Sequence, residues 1–139
     1  MIRAAAGIVL SLALLLAALF GLSRELVGPW AVVGTSMRPT LEAGDRLLVD
    51  RWSYRQRSPR PGELVVLLDE RGVPIVKRAV RIDEARDGLR LWVEGDNRAA
   101  SDDSRRFGAL PLERVRGRVV FRYWPPSRLG GIEPAPPGR

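Results

Sequence analysis

A chain of 139 residues can build one modest core, and once a membrane segment is subtracted it has no room for two. It contains no cysteine and no histidine, which excludes disulfides, thiolate nucleophiles, a Ser-His-Asp triad and zinc sites built on either residue. Lys and Arg outnumber Asp and Glu by 23 to 16, giving +7, a balance that suits an anionic membrane surface as well as nucleic acid and therefore selects neither.

The segment "AAAGIVLSLALLLAALFGL", Ala4 to Leu22, carries no charge over 19 residues. As a helix it would cover roughly 28 Å, close to the thickness of a bilayer's hydrocarbon core. A retained single-pass anchor over residues 1–25 is the expectation. The competing reading, a cleaved secretory signal, suffers from the absence of a clear small-x-small site in Leu22-Ser23-Arg24-Glu25. Arg3 and Arg24 flank the run almost evenly, so charge orients it only weakly.

After the anchor, apolar and β-branched runs of strand length recur between turn signals: Ala31–Val33, Arg46–Val49, Leu64–Leu68, Ile75–Ile82, Leu89–Glu94 and Val115–Tyr123. The fold class expected is mainly β, as one domain over residues 26–125. "LVVLLDERGVPIVKRAV" reads as two strands joined by a turn near Glu70-Arg71-Gly72. Residues 126–139, rich in Pro and Gly, read as an extended or disordered tail outside the core.

Ser36 stands in "GTSMRPT", a short way beyond the anchor. A serine hydroxyl is a poor nucleophile without a positioned base, and with histidine absent a neutral lysine amine can take that part. The chain has a single lysine, Lys77 in "PIVKRAV"; arginine keeps its proton and cannot serve. Its apolar neighbours Ile75, Val76, Ala79 and Val80 could desolvate it. Moving a lysine pKa from about 10.4 to about 8 needs roughly 3 kcal/mol, within what burial delivers. Taken singly, each residue has a plainer account: Lys77 as a surface lysine snorkelling from an edge strand, and Ser36 with Gly34, Pro39 and Gly44 as a turn.

Taken together, these segments resemble type I signal peptidases, the membrane-anchored serine-lysine proteases of the S26 kind. "GTSMRPTL" (Gly34 to Leu41) is similar to the family's nucleophile segment, "GDRLLVDR" (Gly44 to Arg51) to its next strand, and "VKR" (Val76 to Arg78) to the segment bearing the lysine base. "GDNRAASDDSRRFGALP" (Gly95 to Pro111) matches the last box, and "RVRGRVVFRYWP" its closing strand. The matches keep the family's order from Val32 to Pro125.

The resemblance implies a signal-peptidase-like β catalytic domain with one N-terminal transmembrane helix, held at the extracytoplasmic face of the cell membrane. It implies preproteins as substrates, with small residues at the first and third positions before the cut. Lys77 would deprotonate Ser36, Ser36 would attack the scissile carbonyl, and water would hydrolyse the acyl-enzyme, with no metal or cofactor. Ser101 matches the serine that orients the lysine, and Asp103 and Arg105 match a bracing pair. Gly95, Asp96 and Asn97 would shape a tight turn beside the cleft, and Met37 would line the pocket for the small residue or else make a core contact. The Ser36 N–H would help hold the oxyanion. Where many members have a serine hydroxyl donating to that oxyanion, this chain has Gly34, so a backbone N–H would have to substitute. After Lys77-Arg78 the usual Gly-Leu-Pro-Gly-Asp run gives way to "AVRIDEARDG", and the short link to Gly95 leaves no inserted domain.

Two other readings compete. A self-cleaving repressor-type domain shares the chemistry, but the anchor occupies the place of a DNA-binding domain and no internal Ala-Gly cut site is evident. A membrane-tethered basic β module without catalysis would use Trp52 and Tyr54, among Arg51, Arg55 and Arg57, as a lipid or protein interface. Nucleic-acid binding has only net charge behind it and is not expected.

Overall fold

In a computed structural model of the chain, which describes residues 2–135 apart from the side chains of residues 2–6 and 23–25, the leading apolar run forms α1 (Ile2–Leu26). Its Ala and Leu content favours a helix. The side chains of residues 7–22 are all exposed. Among the described residues no helix is long and apolar enough to cross a membrane.

The chain then enters an antiparallel sheet built from β1 (Val27–Ala31), β2 (Arg46–Asp50), β3 (Leu64–Leu68), β4 (Pro74–Ala85), β5 (Gly88–Glu94), β6 (Leu110–Pro111), β7 (Val115–Trp124) and β8 (Gly130–Gly131). The strand order is β1-β2-β7-β3-β4-β5-β6, with β8 also paired to β7. Strand β3 shows why the sheet holds together. Its side chains alternate between faces: Leu64 and Val66 enter one core with Met37, Leu41, Leu47, Val49 and Val119, while Val65 and Leu67 enter a second with Ala79, Leu91, Val93 and Leu110. A strand buried on both faces reads as the continuous run "LVVLL", and this one does.

The hairpin between β3 and β4 turns at Asp69-Glu70-Arg71-Gly72, as expected. Asp69 Oδ1 accepts from Arg71 N and Val73 N, both at 2.8 Å, and Gly72 takes φ +77°, a conformation that favours glycine. The first strand differs from expectation, covering Val27–Ala31 rather than Ala31–Val33. Pro29 stands within it, and β1 lies at the sheet edge, where a missing N–H is tolerated. Val32 and Val33 instead open the loop that carries Ser36.

Two one-turn helices, α2 (Ser53–Gln56) and α3 (Ser104–Phe107), sit against the sheet. Beside α2, Glu63 is buried at 3% exposure and accepts from Tyr54 Oη at 2.9 Å and Arg57 Nη2 at 2.6 Å. Burial opposes its charge, but Arg57, the Arg60 N–H and the Tyr54 hydroxyl outweigh it and hold the carboxyl at about 2.

The segment after Pro125 is corrected: it does not hang free. β8 pairs Gly131 with Phe121 and Gly130 with Arg122, Ile132 packs on the first core, and Ala135 N donates to Gly62 O at 3.3 Å. Counting prolines and glycines missed this because the pairing is made by backbone groups and the packing by a single side chain, Ile132, neither of which composition reports. Residues 136–139 lie outside the described residues.

Candidate active site

Between β1 and β2 the chain makes a closed loop, residues 32–45. Val32 N donates to Asp45 O at 2.9 Å and Gly44 N returns to Val32 O at 2.8 Å. Inside it, Arg38 N bonds Thr35 O at 3.2 Å and Leu41 N bonds Met37 O at 2.9 Å, winding residues 35–41 into a tight turn with Met37 and Leu41 driven into the core at 2% and 0% exposure. These two apolar anchors fix the turn, and Ser36 stands half-buried on it. Among the described residues the Ser36 N–H donates to no acceptor.

Lys77 comes from β4, where it pairs with Val65 of β3. It is 4% exposed, so it is not a snorkelling surface lysine. Its Nζ donates to Ser101 Oγ at 2.9 Å. Burial pushes its pKa below the ordinary 10.5; Asp103 and Asp102 oppose that shift, and Arg105 adds to it. A buried amine with a single hydroxyl partner is the environment that favours the neutral form.

Behind Ser101 stands Asp103, fully buried at 0% exposure. Its Oδ2 accepts from Ser101 Oγ at 2.5 Å, from Gly95 N at 2.8 Å and from Arg105 Nη2 at 2.5 Å, and its Oδ1 accepts from Arg105 Nε at 2.8 Å. Asp103 also caps α3, taking the Arg105 N–H at 3.2 Å. Burial alone would raise its pKa, but Arg105, Gly95 and Ser101 together hold it far below the usual carboxylate range. The motif "SDDSR" thus folds as an acceptor, its cap and its counter-charge in five consecutive residues.

Gly95 joins the two halves. A Cβ built there would lie 2.6 Å from Ser36 O and equally close to Ser101 Cβ, so only glycine lets the Ser36 turn and the Ser101 loop pack this closely. Asn97 N donates to Ser36 O at 2.9 Å and Asn97 Nδ2 to Thr35 O at 3.1 Å. Asp96 faces elsewhere: it pairs with Arg78, Nη2 to Oδ2 at 2.6 Å and Nε to Oδ1 at 2.7 Å, and accepts from Thr40 Oγ1 at 2.5 Å. The reading of "VKR" singled out Lys77 and passed over Arg78, which is 6% exposed and ties the lysine strand to both loops. Thr40, next to Pro39 in the nucleophile segment, was likewise passed over.

The structure therefore gathers Lys77, Ser101, Asp103, Arg105 and Gly95 into one bonded chain, with Ser36 packed against it through Gly95 and Asn97. No hydrogen bond among the described residues joins the Ser36 hydroxyl to Lys77. Ser36 and Val76, the residue before Lys77, line a common cavity of about 210 Å³ with Trp30, Val32, Met37 and Ile75. Gly34 borders the same cavity, and a Cβ there would meet nothing within 4 Å.

The family model described as signal peptidase, peptidase S26 matches residues 5–82 and 88–124. The chain is 35% identical to mitochondrial inner membrane protease subunit 2 of Danio rerio, over 78% of this chain and 70% of that one. It is 30% identical to probable signal peptidase I-1 of Synechocystis, over 75% and 74%, and 32% identical to probable thylakoidal processing peptidase 2 of Arabidopsis thaliana, over 77% of this chain. It spans only about two fifths of the two thylakoidal peptidases it matches, 41% and 44%. With most of its length under one family model and relatives at this identity, the chain belongs to the signal peptidase family, peptidase S26.

Proposed function

We propose that this protein is a serine endopeptidase that removes N-terminal signal peptides from preproteins, with Ser36 as nucleophile and Lys77 as general base. The observation that carries the reading is the buried Lys77 amine, desolvated and held by Ser101 at 2.9 Å, beside the turn bearing Ser36. A neutral amine has two N–H groups and one lone pair. One N–H is used on Ser101, which passes its own proton toward Asp103, so the lone pair is left to take the Ser36 proton. Ser36 then attacks the scissile carbonyl; the free Ser36 N–H receives the oxyanion, and the lysinium protonates the leaving amine. Water, deprotonated by the same lysine, hydrolyses the ester.

The cavity below Trp30 and Ile75 takes the small side chain before the cut. Met37 shapes its floor, though its main contacts are with the core. The relatives named for the thylakoid and the mitochondrial inner membrane support a membrane setting. In this reading residues 1–25 are a single-pass anchor in the cell membrane, in contact with lipid through the exposed side chains of residues 7–22, and residues 26–125 are the catalytic domain on the extracytoplasmic side. The segment after 125 is a strap upon that domain. No nucleic acid takes part.

The test is cleavage of a preprotein with an Ala-x-Ala signal site by the full chain in detergent. Wild type should cut at that site, and Ser36→Ala should cut about 10⁴-fold more slowly or not at all while folding normally. Equal cleavage by both would reject Ser36 as the nucleophile, and no cleavage by either, with both shown to be folded, would leave the non-catalytic tethered module. Because a Cβ at Gly34 meets open space, Gly34→Ser should fold without loss of stability. A hydroxyl there adds a donor to an oxyanion site whose members are each worth about 2.7–4 kcal/mol when well aligned. Its kcat should rise, with KM unchanged; a fall in kcat would show that the backbone donor already fills the place.

A further inference from the structure

We infer that the C-terminal strap is a latch that sets the position of the Ser36 turn, with Arg128 and Arg122 acting through the buried carboxylate of Asp45. The inference rests on the peptidase reading for its kinetic consequence, and on the geometry alone for its structural one.

The tight turn of residues 35–41 ends like a helix, with carbonyls left without intra-turn partners. Thr40 O accepts from Arg122 Nη1 at 2.9 Å and Arg128 Nη2 at 3.2 Å, and Pro39 O accepts from Arg128 Nη2 at 3.4 Å. Both guanidinium groups need a counter-charge, and Asp45 supplies it. At 2% side-chain exposure it meets Arg128 Nη1 at 3.3 Å and Arg122 Nη1 at 3.4 Å, and its Oδ2 also takes the Glu42 N–H at 2.9 Å. Arg122 Nε donates to Arg128 O, locking the two arginines together. The planar fork of arginine suits this work, since one group can bridge a carboxylate and a carbonyl at once.

Asp45 is also the residue that closes the base of the loop, its backbone carbonyl accepting from Val32 N, so one residue ties the loop's ends through its main chain and holds the arginines gripping the far turn through its carboxylate. On the opposite side the Thr40 hydroxyl is held by Asp96, itself paired to Arg78. Thr40 is thus clamped from two directions, and Ser36 is four residues away on the same turn. Arg128 keeps its place because the chain on either side is pinned: Pro125 O takes its N–H at 3.0 Å, and β8, which begins two residues later, pairs with β7. A displacement of about 1 Å at a reacting group can cost 10²-fold in rate, so a device that fixes this turn acts on kcat.

The test uses the full chain, comparing wild type, Arg128→Ala and Arg128→Lys. Two readouts are made: kcat and KM on the Ala-x-Ala preprotein, and hydrogen exchange of the amides from Met37 to Leu41. Arg128→Ala should lower kcat about 10- to 100-fold with KM nearly unchanged, speed exchange in that segment and leave exchange in β4 unaltered. Added guanidinium should restore part of the rate. Arg128→Lys should fall between, because an ammonium can answer Asp45 but cannot bridge to the carbonyls. Exchange unchanged in residues 37–41 would overturn the latch, as would a rate loss that only tracks the unfolded fraction. If wild type fails to cleave but exchange quickens as expected, the latch stands and the peptidase reading falls.

Discussion

Lys77→Arg is expected to be as inactive as Lys77→Ala, with a loss of about 10⁴-fold or more in kcat, even though it keeps the charge. The reason is the protonation state. The Lys77 site removes the amine from water and leaves it one hydroxyl partner, which moves its pKa down from 10.5 and makes a neutral base attainable. Guanidinium does not give up its proton under the same pressure. Turnover by wild type should therefore climb with pH, by about tenfold per unit below the shifted lysine pKa, and level off above it. Stability should follow the same group with a definite sign. A lysine whose folded pKa is depressed binds its proton more readily when unfolded, so stability rises with pH from the folded pKa up to the unfolded one. Below that window the buried lysine is a burden. Lys77→Met, of similar length, should then be dead yet at least as stable as wild type at neutral pH, measured by denaturant midpoint and kcat on the same preparations. A Lys77→Arg enzyme with normal turnover, or a flat rate between neutral and alkaline pH, would sink the lysine-base mechanism.

The parts of this site legible in the sequence are those whose chemistry is exclusive. One lysine, no histidine and a serine in "GTSMRPT" leave few routes to an activated hydroxyl, and "LVVLL", bounded by turn signals, reads as a strand. What stayed hidden depends on charges meeting across long separations. Arg78, Arg122 and Arg128 are three among many arginines, and nothing local distinguishes a guanidinium buried against Asp96 or Asp45 from one in solvent. Asp45 drew no notice inside "GDRLLVDR", whereas its backbone carbonyl ties the ends of the Ser36 loop and its carboxylate faces residues some eighty positions away. The tail misled for a related reason: composition reports on side chains, and β8 is held by backbone pairing to β7. The first strand was displaced because a proline at a sheet edge carries no penalty that the sequence alone can reveal.

Asp103→Asn should damage both stability and catalysis, and it should do so with a signature that separates a positioning role from a purely structural one. The carboxylate is fully buried with Arg105 at 2.5 Å, and removing one partner of such a pair leaves an uncompensated charge, at about 3–5 kcal/mol. Its folded pKa is held far below the ordinary 3.8, so in wild type this contribution is present above the unfolded value and is lost only as pH falls through the folded one. The variant should show that loss at every pH. At the active site Asp103 does two things: it accepts the Ser101 proton, so that Ser101 can receive Lys77 Nζ, and its negative charge opposes the downward shift of the lysine. With asparagine the first is weakened, and kcat at the plateau should drop about 10- to 100-fold. The second is removed, while Arg105 is left to repel the ammonium without a counter-charge, so the lysine pKa should fall further. The rising limb of the pH-rate profile should consequently move to lower pH, although the plateau is lower. A merely structural residue would reduce the plateau through the folded fraction and leave the limb where it was. An unchanged limb in a protein shown by circular dichroism to be folded would therefore assign Asp103 to the scaffold alone, and a limb moved to higher pH would contradict the electrostatic account of Lys77 altogether.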